Sequence, residues 1–268
     1  MRGEWAKGIG TTPVSELRPL LKHELEICIE SLPAGLAARA GGADRVELCC
    51  ALAVGGLTPS HGLIAAAVEK VGLPVHVLLR PRAGGFVYSS DEFRILQRDL
   101  DAARSLGASG CVFGILDREG RVDFERTREL VQQAGPMQVT FHRAFDRSRD
   151  LTESLEKVIE AGCTRVLTSG GRQTVSEGGS MLAALVKLAH GRVRIAAGGG
   201  VTPATAALLL ADARVDLHAS LRKREGKAAE QNADPLWDEE ADCAVDPAEV
   251  RALAALLART SGHTGNRN

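Results

Sequence analysis

From Leu25 onward the chain switches repeatedly between two spacings of apolar residues. Leu25-Glu26-Ile27-Cys28-Ile29-Glu30 alternates with a period of two, the mark of a strand with unlike faces. Pro33 to Ala40 then reads as a helix, stopped by Gly41-Gly42. The pair recurs. Strands are predicted at 45–50, 75–80, 111–116, 138–143, 165–168, 193–197 and 215–220. Helices are predicted between them at about 60–71, 89–106, 124–133, 151–161, 179–189 and 203–210. Ser89 and Glu92 stand at capping-box spacing, and Thr202-Pro203 is a cap followed by proline at the first helical position. A last helix opens at Asp246-Pro247-Ala248-Glu249. Residues 1–24 read as an irregular extension, 222–245 as a charged loop insertion and 261–268 as a disordered tail.

Eight strands in strict alternation with helices imply a parallel sheet, since each parallel connection needs a crossover. Eight such units within residues 25–260 make one α/β domain, a (β/α)8 TIM barrel. The rival, an open Rossmann-like sheet, lacks a G-x-G-x-x-G after the first strand.

The barrel assigns facing. Leu25, Ile27 and Ile29 turn to the helices, so Glu26, Cys28 and Glu30 turn inward. Val46, Leu48 and Cys50 face out, leaving Glu47 and Cys49 inside, and the third strand sends His76, Leu78 and Arg80 in. Val139-Thr140-Phe141-His142 puts Thr140 and His142 on one face, with Arg143 and Asp146 close behind, and the last strand adds His218 and Ser220. Barrel interiors are normally aliphatic. Charge there must pair internally or meet ligand at the mouth, and Glu26 and Glu47 have Arg80, His142 and His218 to pair with. Arg80 and Arg82 at a strand end offer guanidinium forks to a carboxylate or phosphate. Gly198-Gly199-Gly200 precedes a helix N-terminus that favours an anion, and Thr168 and Ser169 add hydroxyls beside it.

Composition narrows the partners. A net charge of -1 and 3% aromatic residues give no basis for nucleic acid. No apolar run is long enough for a bilayer, and the first 22 residues hold no secretion-signal core, so the expected location is cytoplasmic. Six cysteines in a reducing compartment argue against a disulfide framework. Cys28 and Cys49 are the exceptional pair, inward on adjacent strands. They are either two small buried apolar groups or a site for a soft ion such as Cu(I), which suits two thiolates better than zinc does.

LEICIES at 25–31, GGADRVELC at 41–49, GGLTPSHG at 55–62, VTFHRAFD at 139–146 and RVLTSGG at 165–171 resemble the CutC family of copper homeostasis proteins. The resemblance implies a cytoplasmic (β/α)8 barrel, often a homo-oligomer (dimer or tetramer), with copper bound as Cu(I) by the cysteines that match Cys28 and Cys49. Two acidic positions of the family pattern are absent: Val54 stands before GGLTPS, and the loop after the third strand reads Arg80-Pro81-Arg82-Ala83-Gly84-Gly85-Phe86. Two functions are carried forward. One is a copper-handling protein that holds Cu(I) at Cys28 and Cys49. The other is an enzyme acting on a small anionic, perhaps phosphorylated, metabolite, with His142 as acid or base, Glu26 or Glu47 as its carboxylate, and the arginines and glycine turn as the anion site.

Overall fold

The structure, a computed structural model, describes residues 23–221 and 244–262. The expected extension, loop insertion and tail lie almost wholly outside these residues. Strands β1 (Leu25–Ile29), β2 (Arg45–Leu48), β3 (Val75–Leu78), β4 (Gly110–Phe113), β5 (Gln138–Phe141), β6 (Arg165–Thr168), β7 (Arg194–Gly198) and β8 (Asp216–Ala219) form a closed barrel in chain order. Every pairing is parallel, including the closure of β8 on β1. Helices α1 (Leu32–Gly41), α2 (His61–Lys70), α3 (Ser90–Ser105), α4 (Phe124–Ala134), α5 (Leu151–Glu160), α6 (Val175–Ala189), α7 (Pro203–Asp212) and α8 (Pro247–Gly262) follow the strands in turn. This is a (β/α)8 barrel.

The local signals act as read. Ser89 and Glu92 exchange both bonds of a capping box, and Thr202 and Thr205 do the same ahead of Pro203. Helix α6 differs, beginning at Val175 rather than near 179. Gly178-Gly179 hides its start in the sequence, because glycine is a poor helix former. Gly178 is there for close approach: a Cβ on it would lie 1.8 Å from the Ser169 carbonyl oxygen. A second difference concerns Cys50, which does not face the helices. It leaves the ladder to pair with Leu57 in an isolated antiparallel bridge, and its thiol donates to the Thr58 carbonyl at 3.2 Å.

Most apolar burial lies between barrel and helices, where the outward residues of the strands join one large core. Inside the barrel the apolar patch is small: Cys28, Cys49, Leu78 and Val112, with Leu52 against it. Charge fills the N-terminal end. Arg45 Nε lies 2.6 Å from Glu26 Oε2, and Arg165 Nη2 lies 2.7 Å from Asp216 Oδ2 and pairs with Glu24. Arg194 grips Asp216 through Nε at 2.8 Å and Nη2 at 2.5 Å. Arg45, Arg165 and Asp216 are all almost fully buried. Each charge there is held by at least one opposite charge, as burial requires.

Candidate functional site

At the C-terminal ends of the strands a cavity of about 300 Å³ opens, the end at which barrel proteins bind ligands. Of the residues expected at a site, Cys28, Glu47, Arg80, His142 and Arg143 line it. So do Gly199, Gly200, His218 and Ser220. Glu26 and Cys49 sit just beneath, behind Glu47, His218 and Cys28. Arg82, Asp146, Thr168, Ser169 and Gly198 do not line it.

The cavity floor is acidic on one side. Register sets Glu26 beside His218 across the β1–β8 seam and Glu47 beside Cys28 across β1–β2. His218 Nδ1 lies 2.8 Å from Glu26 Oε1 and 3.4 Å from Glu47 Oε2. Burial opposes charge on His218, yet Glu47 and Glu26 together outweigh it and raise the imidazole pKa. Burial alone would raise Glu26 as well. Arg45 and the His218 bond overcome it and hold that carboxyl far below the usual carboxylate range. Glu47 lacks an arginine in contact, and burial pushes it up to about 7. One atom from each of Glu26, Glu47 and His218 falls within 4.8 Å of the others, the one such group of potential metal ligands among the described residues. Glu26 already spends its second oxygen on Arg45.

His142 corrects an expectation. Neither Glu26 nor Glu47 partners it; both belong to His218. Its Nδ1 accepts the Ala144 N–H at 3.1 Å, which leaves the ring proton on Nε2. Nε2 is buried and has no partner. The ring packs on Phe86, with centroids 5.0 Å apart, and fits because a Cβ at Gly114 would come within 2.5 Å of Nδ1. Burial, reinforced by Arg80, lowers its pKa to about 3, so His142 is neutral and presents a hydrogen-bond donor.

The two arginines after β3 part company. Arg80 turns inward, and Nη1 donates to the carbonyls of Val54 at 3.0 Å and Gly56 at 2.9 Å. Its Nη2 donates to Gly84 at 2.8 Å. Arg80 therefore binds backbone rather than a carboxylate, tying the loop after β2 to the loop after β3. Arg82 turns away from the mouth to Glu92 at 2.5 Å, packs over Tyr88 and donates to the Gly85 and Val87 carbonyls. The capping carboxylate of α3 takes it out of the expected anion site.

Asp146, Thr168 and Ser169 form a latch behind the mouth. Asp146 accepts from the Ser169 hydroxyl at 3.0 Å, the Gly171 N–H at 3.0 Å and the Thr168 hydroxyl. It also takes Arg143 Nε at 2.8 Å, while Arg143 Nη2 donates to Ser169 Oγ at 2.7 Å. The latch leaves Arg143 Nη1 over Gly199, where a Cβ would come within 2.9 Å of it. Gly199 and Gly200 take φ of 109° and 75°, backbone that side chains disfavour.

The sulfurs of Cys28 and Cys49 lie 3.5 Å apart, and both residues are buried. Tetrahedral zinc would hold two thiolates about 3.8 Å apart but needs two more ligands. Among the described residues no His or carboxylate completes such a group with the cysteines. The donor set fits a two-coordinate soft ion. The hydrogen bond with Cys49, then burial and the charge of Glu47, raise the Cys28 thiol pKa well above its ordinary value, so an ion must displace a proton to bind. Cys111 is simple packing: burial pushes its thiol up to about 12.

The sequence reading missed Arg45, Arg165 and Asp216 as interior groups, although alternation places them on the inward face with Glu47, Leu167 and His218. It also missed Leu52 and Phe86, which reach the cavity from loops where no periodicity guides assignment.

The CutC family model matches residues 23–223, which take in the whole barrel from β1 to β8. The chain belongs to the CutC family. A CutC family protein of Chromobacterium violaceum is 43% identical over 240 residues, covering 87% of this chain and 97% of that protein. One from Xylella fastidiosa is 41% identical over 262 residues, covering 96% and 94%. The crystal structure of CutC from Streptococcus agalactiae, named for copper homeostasis, superposes with a TM-score of 0.69 at 33% identity, over 74% of this chain and 97% of that one. No helix among the described residues is long and apolar enough to cross a membrane.

Proposed function

We propose that this chain takes Cu(I) as cargo between Cys28 and Cys49. The observation that carries the reading is the 3.5 Å approach of two buried sulfurs at the floor of an open cavity. Two thiolates saturate a soft monovalent ion without further ligands. The role for which the Streptococcus agalactiae protein is named points the same way. The reading includes a cytoplasmic location, where thiols stay reduced, and a homo-oligomer. Competition of reduced protein against a Cu(I) chelator tests it. One tightly held ion per chain is expected, lost in Cys28→Ser and in Cys49→Ser. Tight binding that survives both substitutions overturns the assignment.

A second reading, an enzyme acting on a small anionic metabolite, is favoured by the acid–base pair that faces the cavity. In it His218 and Glu47 move the proton, with Glu26 orienting His218. Proton exchange between a bound carbon acid and deuterated solvent would then be lost in Glu47→Gln with the fold unchanged.

A further inference from the structure

Away from Glu47 the cavity lining carries donors without acceptors. His142 is 6% exposed, its Nδ1 is engaged by Ala144, and its unpartnered Nε2–H belongs to a ring that lines the cavity. Arg143 Nη1, left over when the Asp146 and Ser169 latch has taken Nε and Nη2, lies above Gly199. Among the described residues the backbone amides of Gly200 and Val201 donate to nothing, and both residues line the same cavity just ahead of α7. Arg80, fixed by three carbonyls, adds a positive charge beside His142. Among the described residues Glu47 is the one acidic side chain lining the cavity.

We infer that His142 Nε2, Arg143 Nη1 and the Gly200–Val201 amides form a cradle for the oxyanion of a small metabolite, a carboxylate or a phosphate. Side-chain and backbone donors line one cavity, helix α7 begins just beyond the glycine turn, and Arg80 adds positive charge beside His142. A neutral imidazole whose remaining nitrogen can only donate is matched to the acceptor oxygens of an anion. The cavity volume, about 300 Å³, suits a molecule of metabolite size. The cradle is independent of copper at the cysteines, and it supplies the binding half of the second reading without depending on any reaction.

Calorimetric titration of the full chain with inorganic phosphate, and separately with acetate, tests the cradle. Saturable binding of one anion per chain is expected, phosphate alone marking a phosphate site and acetate alone a carboxylate site. His142→Asn keeps an acceptor for the Ala144 N–H, as asparagine bonds its own backbone two residues on, but withdraws the donor from the cavity. It is expected to weaken binding by about tenfold or more. Arg143→Lys, which keeps the charge and shortens the fork, is expected to weaken it as well. Circular dichroism and Cu(I) stoichiometry should be unchanged in both variants, which separates loss of the cradle from loss of fold or of the copper site. Absence of saturation by either anion overturns the inference, as does equal affinity in the wild type and both variants.

Discussion

The two ends of the barrel interior hold similar residues and treat them in opposite ways. At the N-terminal end Arg45, Arg165 and Arg194 meet Glu24, Glu26 and Asp216 in a closed set of ion pairs. At the mouth Arg80 and Arg143 are spent on carbonyls and a latch, and His142 Nε2 is left with nothing. The first arrangement satisfies charge with charge. The second fixes side chains by one edge and leaves the other edge open. Both ends leave some buried N–H groups without acceptors, Arg45 Nη2 and Arg165 Nη1 at the closed end and His142 Nε2 at the mouth, so what separates them is that only the first pairs its charges with one another.

Substitutions at the two ends sharpen that contrast. Arg165→Ala empties the space of a fully buried side chain and leaves Asp216 to Arg194 alone, and a loss of about 3 kcal/mol or more is expected in denaturant unfolding. Cu(I) uptake per folded molecule should persist. Arg80→Ala removes three bonds to loop carbonyls from a half-open rim, and a smaller loss of about 2 kcal/mol is expected by the same measurement. If the two variants lose equal stability, the mouth is as structural as the closed end and the contrast fails.

Acid probes both ends at once. His76, at the closed end, is lowered from 6.5 to about 4, mainly by burial with Arg45 adding to it, and His142 falls to about 3. The unfolded chain takes up these protons first. Their contribution to stability is therefore present above pH 6.5 and lost as pH falls toward those folded values. Glu47 works in reverse. Raised from 4.5 to about 7, it favours the fold at low pH and gives up that contribution as pH rises across this interval. The clean readout is a difference: between pH 6.5 and 4 the unfolding free energy of His142→Asn should fall less steeply than that of the wild type. Parallel profiles would show that His142 takes up its proton as readily in the folded protein as in the unfolded chain. A smaller effect is expected at neutral pH without anion, where His142→Asn keeps the bond to Ala144 and should cost about 1–2 kcal/mol through lost packing on Phe86.

Much of the fold was legible because alternation reports facing directly. Val46, Leu48, Val75 and Val77 face the helices, and Glu47, Cys49 and His76 face inward, as their spacing requires. The site was less legible for a physical reason. Spacing gives the face of a side chain but not which way its polar end turns. Arg80 and Arg82 are two residues apart and diverge because Glu92, fixed by the α3 cap, captures one of them. His142 and His218 both face inward, yet only His218 meets carboxylates, because the closure of β8 on β1 sets it beside Glu26. That contact spans 192 residues of chain and no local pattern encodes it. The Asp146 latch was legible only as a cluster of polar residues, not as a brace that aims Arg143.

The short 3₁₀ turn Leu52–Val54 is anchored at both ends, by Glu30 Oε1 accepting the Leu52 N–H at 2.6 Å and by Arg80 holding the Val54 carbonyl. Its Leu52 side chain packs on the cysteine pair, and Cys49 has no exposed surface at all. On the Cu(I) reading proposed above, an ion reaching Cys49 would wait for that turn to lift, so the rate of metal exchange should level off as chelator concentration rises.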